Sequence, residues 1–150
     1  MTVVLCQKTL GMVTDYRLLH SLARAEKELG EVEQANQDYQ QALAICPAAD
    51  EKEKSAIIHN LGSLKADTGD IAGAIALYEQ SLETFEGIGN LQGKTSTLAM
   101  LGQLLVTAQE YYKTGLDYLQ QSLDILKHLQ SPEAEKVKEI IAEVQKRIKN

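Results

Sequence analysis

The chain has 150 residues, of which 24% are charged and 44% hydrophobic, and its net charge is −6. This length and balance are typical of one globular domain with its own core. A nucleic-acid-binding protein needs a strong basic field, so the acidic charge argues against that class of function. The longest mainly apolar stretch, Leu98 to Ala108, contains glycine, glutamine and threonine, which argues against a membrane span or a membrane partner.

The first thirteen residues, MTVVLCQKTLGMV, are ambiguous. They lack an early basic cluster and a small-x-small cleavage site, so no signal peptide is expected and a cytoplasmic location is the default. Val3 to Leu5 could be the tail of the second helix of a preceding repeat. Cys6 and Cys46 lie about one repeat period apart, too far to bridge, and each is expected to be a small buried hydrophobe.

Three similar segments follow, over residues 14–47, 50–89 and 91–129. The first contains LLHSLARAEKELGEVEQANQDYQQAL and the second IIHNLGSLKADTGDIAGAIALYEQSL, and corresponding residues lie 39 positions apart. The third segment is shifted by 40 positions in its first helix and by 41 in its second. The turn near Gln109 and Glu110 is therefore expected to carry one extra residue.

Each segment places small residues where two antiparallel helices must approach closely, with a large residue beside them. Large side chains packed against small ones at fixed offsets fill the interior at native density. Gly30 and Gly69 are predicted to end the first helices, because glycine accepts the left-handed conformation. The small positions are Ala23, Gly62 and Gly102 in the first helices and Ala35, Ala74 and Gly115 in the second, and the large ones are Tyr39, Tyr78 and Leu119.

A further helix is predicted over residues 132–149. Ser131 is a suitable N-cap and Pro132 a suitable first helical residue. An apolar stripe at helical spacing runs from Val137 to Ile148. A stack of helical hairpins needs a terminal helix with a polar outer face, and this segment fits that role.

At these positions the chain resembles the tetratricopeptide (TPR) repeat. The resemblance covers roughly Thr14 to Leu129, and it departs from the family pattern at Glu110 and Leu119 of the third copy. The long period is similar to that of kinesin light chain, LGN-type adaptors and bacterial signalling proteins. It implies an all-α, α-solenoid fold of three hairpins plus a capping helix. The matching positions are Leu22-Ala23, Gly30, Ala35, Tyr39, Ala42 and Pro47, then Leu61-Gly62, Gly69, Ala74, Tyr78 and Ser81.

Polar residues lie on the face of each first helix that, by this resemblance, lines a concave groove. The spacing 17, 20, 21, 24 places Arg17, His20, Ser21 and Arg24 on one helical face. Two interpretations remain open: a solvated polar stripe, or a peptide groove in which Asn60 pairs with a ligand backbone and the arginines attract a carboxylate. The predicted binding residues are Arg17, His20, Arg24, His59, Asn60, Ser63 and Gln103.

No catalytic or cofactor pattern is found in the sequence. The glycines of Gly87 to Thr95 do not have P-loop spacing, and the two groove histidines lack a third metal ligand. The charged run from Asp50 to Lys54 is expected to be a solvated helix face. Ser96 and Met100 stand where some family members carry basic residues of a carboxylate clamp.

The predicted function is therefore a non-enzymatic scaffold that binds a peptide or helix of another protein. The alternative is a structural segment that associates with further repeats, or with a second copy of itself, through the edge at Val3 to Leu5. The sequence does not identify the partner.

Overall fold

A computed structural model describes residues 15–109 and 111–150, with the side chain of Gln109 left aside. The described residues form α-helices joined by short turns, and no strand occurs among them. The prediction of an all-α, α-solenoid fold is confirmed. The helices are α1 (Tyr16–Glu28), α2 (Val32–Ile45), α3 (Glu51–Asp67), α4 (Ile71–Ile88), α5 (Leu91–Gln109), α6 (Tyr112–His128) and α7 (Glu133–Lys149).

The helices belong to two compact units, and the boundary between Leu77 and Tyr78 lies inside α4. In the first unit α1 packs against α2, and α3 packs against both. Their core contains the repeat positions predicted to be interior, with Ala23, Ala35 and Ala42 fully buried and Tyr39 1% exposed. The small-against-large pattern therefore does form the packed interior of this unit.

In the second unit α5 packs against α6, and α7 packs against α6. Gly102 and Gly115 face each other, since a β-carbon on Gly102 would lie 2.8 Å from the Gly115 carbonyl oxygen and 2.8 Å from Leu119 Cγ. Buried Ser122 donates a hydrogen bond to the Thr95 carbonyl oxygen, 3.1 Å away, so its hydroxyl is satisfied inside the core. The residues predicted to allow close approach in the third repeat are thus in contact.

Glycines lie just after the ends of α1, α3 and α4. Gly30, Gly69 and Gly89 have φ values of +81°, +87° and +70°, which confirms the predicted left-handed caps at the first two. After α1, the Glu31 N–H donates to the Glu26 carbonyl oxygen, a bond that spans five residues. The same five-residue bond closes α3, α4 and α6.

The turn after α5 differs from the others. Tyr111 N–H donates to the Leu105 carbonyl oxygen at 2.9 Å, so the closing bond spans six residues instead of five. The prediction of one extra residue in this turn is confirmed. Glu110, which stands in place of the family's glycine, lies outside the described residues.

Helix α7 begins as its sequence predicts. Ser131 Oγ accepts the Glu133 N–H at 3.3 Å, and Pro132 already has helical φ and ψ of −64° and −18°. Val137, Ile141 and Val144 face the core, whereas Glu135 and Lys138 form an exposed ion pair on the outer side. The polar outer face is present, and the apolar stripe faces the core as far as Val144, whereas Ile148 at its end is 50% exposed.

Two predictions concern the cysteines and the edge at Val3 to Leu5. Cys46 is buried, as expected of a small hydrophobe, and burial raises the pKa of its thiol. Cys6 and the Val3 to Leu5 edge lie outside the described residues. The repeat boundaries 14–47, 50–89 and 91–129 stay a proposal.

Candidate functional site

The predicted groove residues of the first unit lie on α1 and α3, which contact each other. Asp15 caps α1 by accepting the backbone N–H groups of Arg17 and Leu18. Asp50 caps α3 by accepting the Glu53 N–H at 3.3 Å. These caps fix where each helix starts, and so fix which side chains of α1 and α3 lie opposite each other.

At the amino-terminal end of this face, Asp50 binds two side chains of α1. Its Oδ2 accepts a hydrogen bond from Tyr16 Oη at 2.6 Å and one from Arg17 Nη2 at 2.9 Å. The Tyr16 hydroxyl, followed by the Glu53 N–H and the Arg17 guanidinium, lowers the pKa of the Asp50 carboxyl. Arg17 is exposed, but its charge is directed to this carboxylate within the protein.

His20 lies in the middle of the face, between two residues of α3. Its Nδ1 is 2.6 Å from Glu53 Oε1, and its Nε2 is 2.7 Å from Asn60 Nδ2. The ring is only 7% exposed and lies at 6.0 Å from the ring of Tyr39 on α2. His20 is therefore a buried member of the α1–α3 contact.

Lys27 connects the two helices at the other end. Its Nζ donates to Ser63 Oγ at 2.6 Å and pairs with Asp67 Oδ2 at 3.1 Å. The half-buried ring of His59 has a lowered pKa, first because of burial and second because of the Lys27 charge. Lys27 thus binds Ser63 and lowers the pKa of His59, although the sequence did not predict this lysine as part of the site.

Arg24 differs from the other predicted residues. Its side chain is exposed, and over residues 15–109 and 111–150 its guanidinium forms no ion pair. It borders a groove of about 490 Å³ on the first unit, which Asn60 also reaches. The groove is lined by Ser21, Arg24, Ala25, Lys27, Glu28, Tyr39 and Asn60.

One expectation about this region is wrong. The run from Asp50 to Lys54 was expected to be a solvated face, but Asp50 and Glu53 bind side chains of α1. A usable signal was present in the sequence: two basic residues, Arg17 and His20, each precede an acidic one by 33 positions. Five members of the site were not predicted from the sequence: Tyr16, Lys27, Tyr39, Asp50 and Glu53.

Gln103 lies in the second unit, on α5, where it borders two hollows between α5 and α7. One hollow, of about 360 Å³, is lined by Val106, Ile140 and Val144 together with Arg147 and other residues. The other, of about 280 Å³, also contains Gln103 and Ile140. Both are more apolar than the groove of the first unit, so Gln103 has surroundings of a different kind from those of Asn60.

Two kinds of feature are absent from the part of the chain that the structure describes. No group of three or more histidine, cysteine, aspartate or glutamate side chains there could hold a metal ion. None of the helices in residues 15–109 and 111–150 combines the length and the apolar character that crossing a bilayer requires.

The helical hairpins and their small-against-large packing define the class: an all-α repeat scaffold. A tetratricopeptide repeat profile matches residues 53–128, more than half of the chain, and a second one matches residues 17–46. The chain belongs to the tetratricopeptide repeat family. None of the curated proteins compared with the chain matches it in sequence.

Solved structures share the fold at low sequence identity. The apo form of RapI superposes with a TM-score of 0.87 at 13% identity, covering 97% of this chain and 55% of that one. Aspartyl phosphate phosphatase F from Bacillus subtilis gives 0.83 at 13% identity, covering 95% and 39%. A kinesin light chain repeat protein of Podospora anserina gives 0.69 at 18% identity, covering 99% and 84%. The chain thus spans about half, or less, of the length of the first two.

Proposed function

We propose that the groove of the first unit binds a peptide segment of a partner protein. The observation that carries this proposal is the open position of Arg24 beside Asn60 in a groove of about 490 Å³. The neighbouring side chains of Lys27 and Asn60 are held by bonds within the protein, whereas the Arg24 guanidinium forms no ion pair with the described residues. The groove is thus a preformed site with one unengaged cationic group.

The fixed neighbours favour binding. Asn60 is held by His20, and Lys27 is held by Ser63 and Asp67. Side chains that are immobilised before the ligand arrives lose little conformational entropy on binding. Contacts of the ligand with Asn60 and Lys27 therefore cost little ordering entropy, whereas Arg24 still has to be ordered when the ligand binds.

The charges indicate the ligand's chemistry. Arg24 presents up to five N–H donors and matches a carboxylate in a bidentate geometry. Glu28 lies at the same groove, so a basic ligand group can approach there, but Lys27 adds a second positive charge. The ligand is a segment of another protein that carries an acidic side chain or a terminal carboxylate opposite Arg24.

A peptide array tests this proposal. Arg24→Glu replaces an attractive charge with a repulsive one, and loss of a charge-assisted hydrogen bond costs roughly 1.5–3 kcal/mol, or about ten- to a hundredfold in Kd. Asn60→Ala removes the proposed backbone contact. Lys138→Glu is the matched control, because it makes the same charge change on the outer face of α7. Peptides that bind both Arg24→Glu and Asn60→Ala as tightly as the wild type would contradict the assignment.

The remaining proposed contacts are Arg17, His20, His59 and Ser63, which lie on α1 and α3 outside the lining of this groove, and Gln103, which belongs to the second unit. Gln103→Ala in the same array tests its contribution separately. The alternative function, association through Val3 to Leu5, concerns residues outside the described ranges. Light scattering of the whole chain and of a variant without Met1 to Leu10 tests it, since only that alternative predicts a dimer that the deletion abolishes.

A further inference from the structure

We infer that His20 is a positioning residue that fixes the side-chain amide of Asn60, so that the groove accepts an extended peptide backbone and not a helix. The inference rests on the proposed function, because it assigns the kind of ligand that the same groove binds. His20 does not line the groove, whereas Asn60 does. The histidine therefore acts on the ligand only through Asn60.

The two contacts of the ring define its protonation pattern. Nε2 faces the amide nitrogen of Asn60 at 2.7 Å, so Nε2 accepts a hydrogen bond and carries no proton. The proton is then on Nδ1, which donates to Glu53 Oε1 at 2.6 Å. Glu53 thus selects the Nδ1–H tautomer of His20, and this tautomer selects the orientation of the Asn60 amide.

The orientation of the amide decides what it offers to a ligand. One N–H of Asn60 is used by His20, which leaves its carbonyl oxygen and a second N–H. This pair is complementary to the C=O and N–H of an extended peptide, whose backbone groups are unpaired before it binds. A helix has already paired its own backbone groups, so it cannot use Asn60 in this way.

The first experiment needs no ligand. Long-range ¹H–¹⁵N correlation spectra of the whole chain at neutral pH distinguish a protonated ring nitrogen from an unprotonated one. We expect His20 to show a protonated Nδ1 and an unprotonated Nε2, and to keep this pattern in Glu53→Gln, whose amide oxygen still accepts. A protonated Nε2 in the wild type would overturn the inference, whatever the array shows.

The second experiment uses the peptides selected on the array. His20→Phe is expected to weaken their binding about tenfold, whereas His128→Phe, at the exposed end of α6, is expected to leave it unchanged. If His20→Phe is unfolded by circular dichroism, His20→Gln takes its place. Equal affinities of the wild type and the His20 variant would overturn the inference, and an array without any binding peptide would instead overturn the proposed function.

Discussion

Gly102 and Gly115 bring the backbones of α5 and α6 into direct contact. A β-carbon on Gly115 would lie 2.8 Å from the Gly102 carbonyl oxygen and 2.5 Å from Val106 Cγ2, and a β-carbon on Gly102 would meet the Gly115 carbonyl oxygen at 2.8 Å. Backbone oxygens cannot move aside as the end of a flexible side chain can. The contact therefore requires two residues that have no side chain.

Gly102→Ala is expected to destabilise the chain. The added methyl group must push α5 and α6 apart, and overpacking of this kind costs roughly 1–3 kcal/mol. Gly87→Ala is the matched control: Gly87 lies in α4, and a β-carbon there would have no atom within 4 Å. That change is expected to stabilise by about 0.5–1 kcal/mol. Urea denaturation followed by circular dichroism measures both, and equal effects would contradict the contact.

Gln130→Gly is expected to increase the stability of the chain. Gln130 ends α6 with φ of +54°, the conformation that Gly30, Gly69 and Gly89 adopt at other helix ends. A non-glycine residue in this region is strained by roughly 1–2 kcal/mol. Glycine also costs some entropy in the unfolded chain, so Gln130→Gly is expected to raise the free energy of unfolding by about 0.5–1 kcal/mol.

The control for this change is Gln121→Gly. Gln121 is exposed in the interior of α6, where glycine destabilises by about 1 kcal/mol. Thermal melts of the two variants should therefore shift in opposite directions. A Gln130→Gly melt that falls together with that of Gln121→Gly would show that the turn carries no strain.

The Asp50 carboxyl is expected to make stability depend on acid pH. Its pKa is lowered in the folded chain, mainly by the Tyr16 hydroxyl, below the ordinary value of 3.8. Because the folded pKa is the lower one, the stabilisation is present above pH 3.8 and is lost as the pH falls through the folded value. Asp50→Asn keeps an N-cap and an acceptor but removes the charge, so it should flatten this acid decline.

Urea denaturation at a series of pH values measures the effect. Asp117→Asn, an exposed change in α6, provides the control. The expected result is a difference between Asp50→Asn and the wild type that shrinks as the pH falls. A difference that stays constant across the acid range would exclude the charge of Asp50 as its source.

His59 should report the position of Lys27. Burial is the larger cause of its lowered pKa and the Lys27 charge is the smaller one, so Lys27→Met should raise the pKa without restoring the ordinary value of 6.5. Because the folded pKa is the lower one, this group's contribution to stability is complete above pH 6.5 and declines as the pH falls below that value. An NMR titration measures the pKa, and Lys52→Met, an exposed change in the first turn of α3, is the control. A pKa of His59 that is unchanged in Lys27→Met would contradict their proximity.

The repeat interior could be predicted from the sequence because it depends on local rules applied several times. Gly30 and Gly69 follow from the left-handed cap, and Gly102 and Gly115 from the need for close approach. The extra residue before Tyr111 follows from counting alone. Each of these features depends on a residue type at a fixed offset, and three copies of the segment make the offset visible.

The polar contacts between α1 and α3 could not be predicted in the same way. The repeat places His20 and Asn60 on one face, but it does not fix which atoms of one helix meet those of the next. Asp50 and Glu53 stand among alternating charges that are typical of a solvent-exposed helix. The caps and the packed core together determine the position of α3 along the axis of α1. Only this position places Asp50 and Glu53 opposite Arg17 and His20.

The hydrogen bond from the Tyr111 N–H to the Leu105 carbonyl oxygen, which spans six residues, has a practical consequence for protein engineering. Gly115 follows Gly102 by 13 positions, whereas Ala35 follows Ala23 by 12, yet the two glycines remain in contact. The contact between these two helices thus tolerates an added residue between its two glycines. A fluorophore attachment site or a short epitope is best inserted between α5 and α6, where a partner's effect on the chain could be followed without altering the groove of the first unit.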